Sequence, residues 1–262
     1  MPQIKLISIL VVLAVGWGMA LKARRPARVD ILPSREDKTR EVSYLALGDS
    51  YTIGESVGPD ERYPAQVRRL LAEEDHLDCG DPEIIAVTGW TTGNLLDALA
   101  GAKPEGEDGR ATPGGSAGRQ QGFSYDMVSL LIGVNNQYQG RSRAEYREQF
   151  AALLQKSIRL AGNRPSHVLV LSIPDYSVTP FARTQGRDTT WIAAQIDSFN
   201  RINYELAREY QVGYLDVTAE SRKAAADPSL IAADGLHFSG KEYGAWARLM
   251  EPVLREILKA GH

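Results

Sequence analysis

The sequence contains one cysteine and only four histidines, and these shortages limit the chemistry that the chain can perform. Cys79 cannot form an internal disulfide, which suits the cytosol but is equally allowed in an exported protein. A single cysteine and scattered histidines also provide no pair of ligands at the spacing of a zinc finger or a metal-binding helix. We therefore expect neither a metal nor a cofactor.

The chain also lacks an excess of positive charge. Its first 30 residues hold five basic side chains and one acidic side chain, and removing them from the totals of 30 and 33 leaves 25 basic and 32 acidic residues. The rest of the chain thus has a net charge of −7, whereas nucleic-acid binders usually present a basic face. No Gly-x-x-x-x-Gly-Lys-Ser/Thr stretch follows Gly48. The sequence therefore argues against a nucleic-acid partner and against a phosphate loop.

The N-terminus carries an uncharged run of 16 residues, 6–21. As a helix this run would span roughly 24 Å, against a hydrocarbon core of about 30 Å. Residues 18–20 have the small-x-small form of a signal-peptide cleavage site, whereas the basic cluster in residues 22–28 favours a cytoplasmic position for that side. We predict a signal peptide or membrane anchor at 1–21 and a tether at 22–41. An exported or membrane-anchored protein is favoured over an anchored domain facing the cytoplasm or a buried core helix.

The remaining residues, 42–262, are enough for one α/β domain, in which strand-like runs alternate with helical patterns. The runs predict five strands, at about 42–47, 84–88, 125–132, 167–173 and 213–217. The patterns predict helices at Tyr63–Glu74, from Thr92, from a capping box at Ser142 to about Ala161, through the stripe Ile192–Leu206, and from near Ser239. This alternation implies a five-stranded parallel sheet covered on both faces, a three-layer α/β/α sandwich.

Two predicted loops interrupt the alternation. Residues 101–122 are rich in glycine and small polar residues, and we expect a surface loop that either gates the substrate or is an inert insertion. Residues 174–188 follow the fourth predicted strand. Tyr176, Phe181 and nearby Trp191 either line an acyl or sugar pocket or cover the edge of the sheet.

Ser50 is the candidate nucleophile, because Gly48-Asp49-Ser50-Tyr51 directly follows the first predicted strand. Open α/β sheets bind their ligands at the carboxyl ends of their strands. The nucleophile elbow of α/β-hydrolases reads Gly-x-Ser-x-Gly, but Thr52 occupies its last position here. The position of Ser50 therefore predicts a serine hydrolase, but one that does not have the α/β-hydrolase nucleophile elbow.

His237 is the candidate base. A serine hydroxyl needs an imidazole to take its proton and a carboxylate to fix the imidazole tautomer. Asp234 lies three residues before His237 in a glycine-containing turn and can orient its ring, although it could instead cap the next helix. The other histidines are less suitable because of their positions, in a charged helix end, at a strand start and at the terminus: His76, His167 and His262.

Two further segments offer donors for the oxyanion of a tetrahedral intermediate. Gly89 follows the second predicted strand, where the missing side chain would let a backbone N–H approach a ligand. Asn135 follows the third predicted strand, and its amide could donate as well. Glycine and asparagine at these places can also serve only as turn residues.

The order of these four segments resembles the SGNH, or GDSL, hydrolase family over about residues 42–260. The resemblance implies Ser50 as nucleophile, His237 as base and Asp234 as its orienting acid. It also implies an oxyanion hole formed by the Ser50 N–H, Gly89 and Asn135. The chain departs from the family pattern Gly-x-Asn-Asp at Asn136, which puts the local support of that loop in question.

We thus predict a serine esterase that hydrolyses short-chain acyl esters, carried by glycans or other polar molecules. Alternatives are a lysophospholipase or thioesterase, an O-acyltransferase with the same triad, and a non-catalytic binding module. The joint presence of Ser50, Asp234 and His237 weighs against the last of these.

Overall fold

The computed structural model describes three stretches of the chain, residues 41–74, 77–101 and 124–260. Several predictions lie outside these residues, namely the anchor or signal peptide at 1–21, nearly all of the tether, most of the loop at 101–122, and the surroundings of His76 and His262. None of the helices in the described stretches has the length and apolar character needed to cross a membrane.

Five parallel strands form the central sheet, which confirms the predicted sheet. They are β1 (Tyr44–Gly48), β2 (Glu83–Ala86), β3 (Met127–Leu131), β4 (Val168–Leu171) and β5 (Gly213–Leu215). Their order across the sheet is β2-β1-β3-β4-β5. Every residue of β1, β3 and β4 is buried, as expected for strands covered on both faces.

Helices cover both faces of this sheet. The longer ones are α2 (Tyr63–Glu74), α3 (Thr92–Gly101), α5 (Arg143–Leu160), α7 (Thr189–Glu209) and α9 (Gly240–Ala260). Short helices also follow β1, β3, β4 and β5, and these are α1 (Ser50–Ile53), α4 (Val134–Tyr138), α6 (Pro180–Thr184) and α8 (Thr218–Ser221). Helix α2 packs against α9, while α3 and α7 pack against α5. These two groups of helices reach the sheet separately, α9 and α5 each contacting β3, and they form the two layers that cover it.

The predicted helices are confirmed, and their starts have clear local causes. The hydroxyl of Ser142 accepts a hydrogen bond from the Glu145 N–H at 3.1 Å and so caps the start of α5. The apolar stripe of α7 is buried from Ile192 to Leu206, as its spacing predicted.

Four strands, β2, β3, β4 and β5, end one or two residues earlier than predicted, and turn hydrogen bonds follow directly after β2 and β5. After β2, the Trp90 N–H donates to the Val87 carbonyl, which closes a turn over residues 87–90. After β5, the Asp216 carboxylate accepts from the Thr218 N–H at 2.8 Å. The loops that follow these strands therefore begin earlier in the chain than the apolar runs indicate.

Candidate active site

Ser50 lies at the carboxyl end of β1, as the first residue of α1. Asp49 caps this helix, since its carboxylate accepts from the Tyr51 N–H at 3.1 Å. Gly48 is required at the end of the strand, because a Cβ there would collide with the Leu131 carbonyl and the Thr52 side chain. The chain can therefore turn sharply enough to place Ser50 at the edge of the sheet.

Asp49 is itself fully buried beside the candidate nucleophile. Burial raises the pKa of its carboxyl to about 7, against the opposing hydrogen bonds from the backbone N–H groups of Tyr51 and Gly133. Asp49 acts as a helix cap and so fixes the direction of the turn at Ser50.

His237 and Asp234 form a close pair. The Nδ1 of His237 donates to Oδ2 of Asp234 at 2.5 Å, and the same oxygen accepts from the Ser56 hydroxyl at 2.8 Å. The other oxygen, Oδ1, accepts from the backbone N–H groups of Leu236 and His237, both at 2.9 Å. Partial burial opposes ionisation of Asp234, but hydrogen bonds led by the one from His237 outweigh it and lower the pKa to about 2. The carboxylate is therefore charged at neutral pH.

The hydrogen bonds of Asp234 do not match its alternative role as a cap of the next helix. Asp234 binds residues of its own turn, and Ser239 instead stands before α9, where its hydroxyl accepts from the Glu242 N–H at 3.4 Å. The imidazole of His237 is nearly buried and meets the ring of Tyr51 edge-on, with centroids 5.7 Å apart. Together with the bond to Asp234, this contact holds the ring in place.

His167 lies elsewhere. It follows α5 at the start of β4, and its Nδ1 lies 2.7 Å from the carbonyl oxygen of Asp126. Burial lowers the pKa of this imidazole, and the nearby Arg164 lowers it further. Its contacts are those of a satisfied core histidine.

The two predicted oxyanion segments meet at the same edge of the sheet. Gly89 has a φ of +84°, which favours glycine, and nothing lies within 4 Å of the place where a Cβ would stand. Asn135 lies in the first turn of α4, and its Nδ2 donates one hydrogen bond to the Trp90 carbonyl at 2.9 Å. An amide nitrogen has two protons, so a second one is available to a ligand.

A single pocket brings these residues together. It has a volume of about 170 Å³ and is lined by Ser50, Gly89, Asn135 and His237, along with Tyr51 and Thr88. Its remaining wall is apolar and largely aromatic, formed by Val134, Tyr138, Tyr176, Phe181 and Leu236. In the described part of the chain no three histidine, cysteine, aspartate or glutamate side chains gather as a metal-binding group.

The sequence left open whether three aromatic residues line a pocket or cover the edge of the sheet, and the structure places two of them in the pocket. Tyr176 and Phe181 line the pocket, but Trp191 does not, since 51% of its surface is exposed on α7. Tyr138 is a wall residue that the sequence analysis missed. The Arg187 guanidinium stacks 4.5 Å from the centre of its ring. A tyrosine one turn after a candidate oxyanion asparagine on α4 is the signal that could have indicated it.

Comparison with known proteins identifies the family. Residues 46–245 match the GDSL-like lipase/acylhydrolase family. The chain therefore belongs to this family, and it is a carboxylic ester hydrolase. No curated protein matches the chain.

Solved structures share the fold at low sequence identity. The lipase/acylhydrolase from Enterococcus faecalis is 20% identical, with a TM-score of 0.57 over 84% of this chain and 97% of that chain. Axe2, an acetylxylan esterase from Geobacillus stearothermophilus, is 18% identical, with a TM-score of 0.55 over 81% and 94%. The psychrotrophic esterase EstA from Pseudoalteromonas sp., inhibited in that structure by monoethylphosphonate, is 15% identical, with a TM-score of 0.55 over 84% and 100%. These similarities support the three-layer α/β/α fold.

Proposed function

We propose that this hydrolase is a serine esterase that cleaves short acyl esters through an acyl-enzyme on Ser50. The observation that carries the proposal is the pairing of His237 with an ionised Asp234 in the pocket that Ser50 also lines. Such a pair supplies a base whose tautomer is fixed, and that is what a serine hydroxyl needs to become a nucleophile.

The proposed reaction starts with attack of the Ser50 Oγ on the ester carbonyl carbon. Its proton passes to Nε2 of His237, because Asp234 holds the proton on Nδ1. The N–H of Ser50, the N–H of Gly89 and the free proton of Asn135 Nδ2 then stabilise the negative oxygen. His237 returns the proton to the departing alcohol, and water releases the acyl group by the same steps.

The pocket volume limits the acyl group. A dry apolar cavity of about 150 Å³ in another protein accepts a benzene-sized molecule. A pocket of about 170 Å³ should thus enclose roughly six carbon atoms. Each buried methylene contributes about 0.8 kcal/mol, or about fourfold in kcat/KM, until the pocket is full. Tyr138, Tyr176 and Phe181 provide the apolar surface for this short chain.

The proposed carriers of the acyl group are polar molecules such as glycans. The similar Axe2 is an acetylxylan esterase, which supports a carbohydrate carrier, although the fold alone is shared at this identity. An exported or membrane-anchored location is part of the same proposal and is based on residues 1–21 of the sequence.

Two measurements test the proposal. A fluorophosphonate probe should label Ser50 and fail on the Ser50→Ala variant, whose hydrolysis of p-nitrophenyl butyrate should be lost while its Tm stays near that of the wild type. Labelling at another residue, or near-normal activity in the variant, contradicts the mechanism.

The acyl length is tested with a series of p-nitrophenyl esters. We expect acetate and butyrate to be preferred over palmitate, with butyrate above acetate by up to about fifteenfold in kcat/KM. A steady rise through octanoate to palmitate would instead favour a lysophospholipase or thioesterase. Release of acylated sugar when an acetylated donor and a free sugar are mixed would favour an O-acyltransferase.

A further inference from the structure

The two asparagines of α4 hold the loop that follows β2 from two sides. Asn135 binds the Trp90 carbonyl through Nδ2 at 2.9 Å. Asn136, only 1% exposed, accepts from the Thr92 N–H through Oδ1 at 2.9 Å and donates to the Thr92 hydroxyl through Nδ2 at 2.7 Å. The segment with Gly89 is thereby fastened to the helix that carries the other oxyanion candidate, Asn135.

The direction of these hydrogen bonds follows from one backbone group. The Thr92 N–H can only donate, so the Asn136 atom that faces it must be oxygen, and the other atom must be the amide nitrogen. The Thr92 hydroxyl accepts a hydrogen bond from that nitrogen and donates its own hydrogen bond to Oε1 of Gln149 at 2.5 Å. This orients the amide of Gln149, whose Nε2 donates to the Glu145 carboxylate at 3.2 Å. We call these four side chains the amide relay.

We propose that Asn136 is a positioning residue that aligns the oxyanion donors through the amide relay, and that the relay requires an amide rather than a carboxylate at this position. The inference rests on the proposed function, because the alignment matters for the rate only if a tetrahedral oxyanion forms. It also accounts for Asn136 in place of the aspartate that the family pattern carries. The residues that accommodate the amide are Gln149 and Glu145 on α5.

An aspartate at position 136 would reverse the relay. The second carboxylate oxygen can only accept a hydrogen bond, so the Thr92 hydroxyl would donate to it and no longer to Gln149. Gln149 would then rotate to donate to Thr92, and its carbonyl oxygen would face the carboxylate of Glu145. Two acceptors facing each other without a proton repel, so the loop would shift to separate them.

Asn94, in the first turn of α3, provides a matched comparison. Its Oδ1 accepts from the N–H and the hydroxyl of Thr91, at 3.0 and 2.8 Å. These two bonds use the oxygen alone, so an aspartate at position 94 can make both of them. It would also place a negative charge in the first turn of α3, which is favourable.

The test compares Asn136→Asp, Asn94→Asp, Glu145→Gln and the double variant Asn136→Asp/Glu145→Gln, all on p-nitrophenyl butyrate. Asn136→Asp should lower kcat by about 10- to 100-fold with KM within about threefold, whereas Asn94→Asp should stay within about twofold. Glu145→Gln alone gives the reference kcat against which the double variant is compared. In the double variant the glutamine at 145 can donate to the rotated Gln149. It should recover at least about fivefold of the lost kcat.

Two results would overturn the proposal. One is a kcat in Asn136→Asp that equals that of Asn94→Asp. The other is a loss that Glu145→Gln does not relieve. The Tm of the same variants separates this failure from a failure of the proposed function. If the wild type hydrolyses no ester, the relay still predicts a lower Tm for Asn136→Asp than for Asn94→Asp, with recovery in the double variant.

Discussion

Replacing Asp234 by asparagine should disable the proposed base while leaving the fold intact. The Oδ1 of Asp234 accepts from two backbone N–H groups, those of Leu236 and His237, both at 2.9 Å. Backbone N–H groups only donate, so the amide oxygen of the asparagine must take this place. The amide nitrogen then falls where Oδ2 stands, facing Nδ1 of His237 and the hydroxyl of Ser56.

The consequence is the wrong tautomer of His237. Its Nδ1 must accept from the new amide, so the ring proton moves to Nε2, and that nitrogen can no longer take the proton of Ser50. In serine proteases the equivalent change lowers kcat by about 10⁴, or about 5.4 kcal/mol at 1.36 kcal/mol for each tenfold. The Ser56 hydroxyl can accept from the amide nitrogen, so the turn keeps its hydrogen bonds and Tm should change little.

The assay is kcat for p-nitrophenyl butyrate at about pH 8, with Tm measured in parallel. Asp227→Asn is the matched control. Asp227 is an exposed aspartate whose pKa is lowered to about 2, first by Lys241 and then by Ser229, and it does not line the pocket. A kcat within tenfold of the wild type in Asp234→Asn would refute the tautomer reasoning. An equal loss in Asp227→Asn would show that negative charge alone, rather than the contact with His237, is responsible.

Three further outcomes follow from the same geometry. His237→Ala should lower kcat by roughly 10³- to 10⁴-fold, whereas His167→Ala should keep most activity, and the reverse ranking would contradict the choice of base. Asn135→Ala should lower kcat by roughly 10²- to 10³-fold with KM within a few-fold, and a pure KM effect would make it a binding residue. Burial raises the pKa of Glu242 from 4.5 to about 7, against the hydrogen bond from Trp246. The unfolded chain therefore holds fewer protons in that window, so stability falls as pH rises from about 4.5 to about 7. Glu242→Gln should flatten the fall in Tm over this range, and an unchanged slope would exclude Glu242 as its cause.

The gathering of Ser50, Gly89 and Asn135 at one edge could be predicted from the sequence. Each residue follows an apolar run, and the carboxyl ends of parallel strands lie at the same edge of a sheet. The strands concerned, β2, β1 and β3, are also direct neighbours in the sheet. Strands that are buried on both faces need apolar residues at every position, so they stand out in the sequence as continuous apolar runs.

The aromatic wall and the amide relay could not be predicted in the same way. Trp191 and Phe181 lie close in sequence, but the start of α7 turns Trp191 towards solvent. The partner of Asn136 is Thr92, at the start of α3, and Thr92 in turn contacts Gln149 on α5. Sequence spacing predicts which elements form, but it does not predict which way a side chain points between two elements.

Asp234 and Asn136 show that the choice between a carboxylate and an amide is decided by the neighbouring protons. At both positions a backbone N–H fixes one oxygen of the side chain. The second atom of Asp234 meets an imidazole that must keep its proton on Nδ1, so that atom has to accept. The Nδ2 of Asn136 contacts the Thr92 hydroxyl, which already donates its hydrogen bond to Gln149, so the Asn136 atom has to be a donor. Exchanging either side chain for the other reverses one hydrogen-bond direction. At position 234 the reversal acts directly on the proposed base, and at position 136 it acts on the relay that holds Thr92.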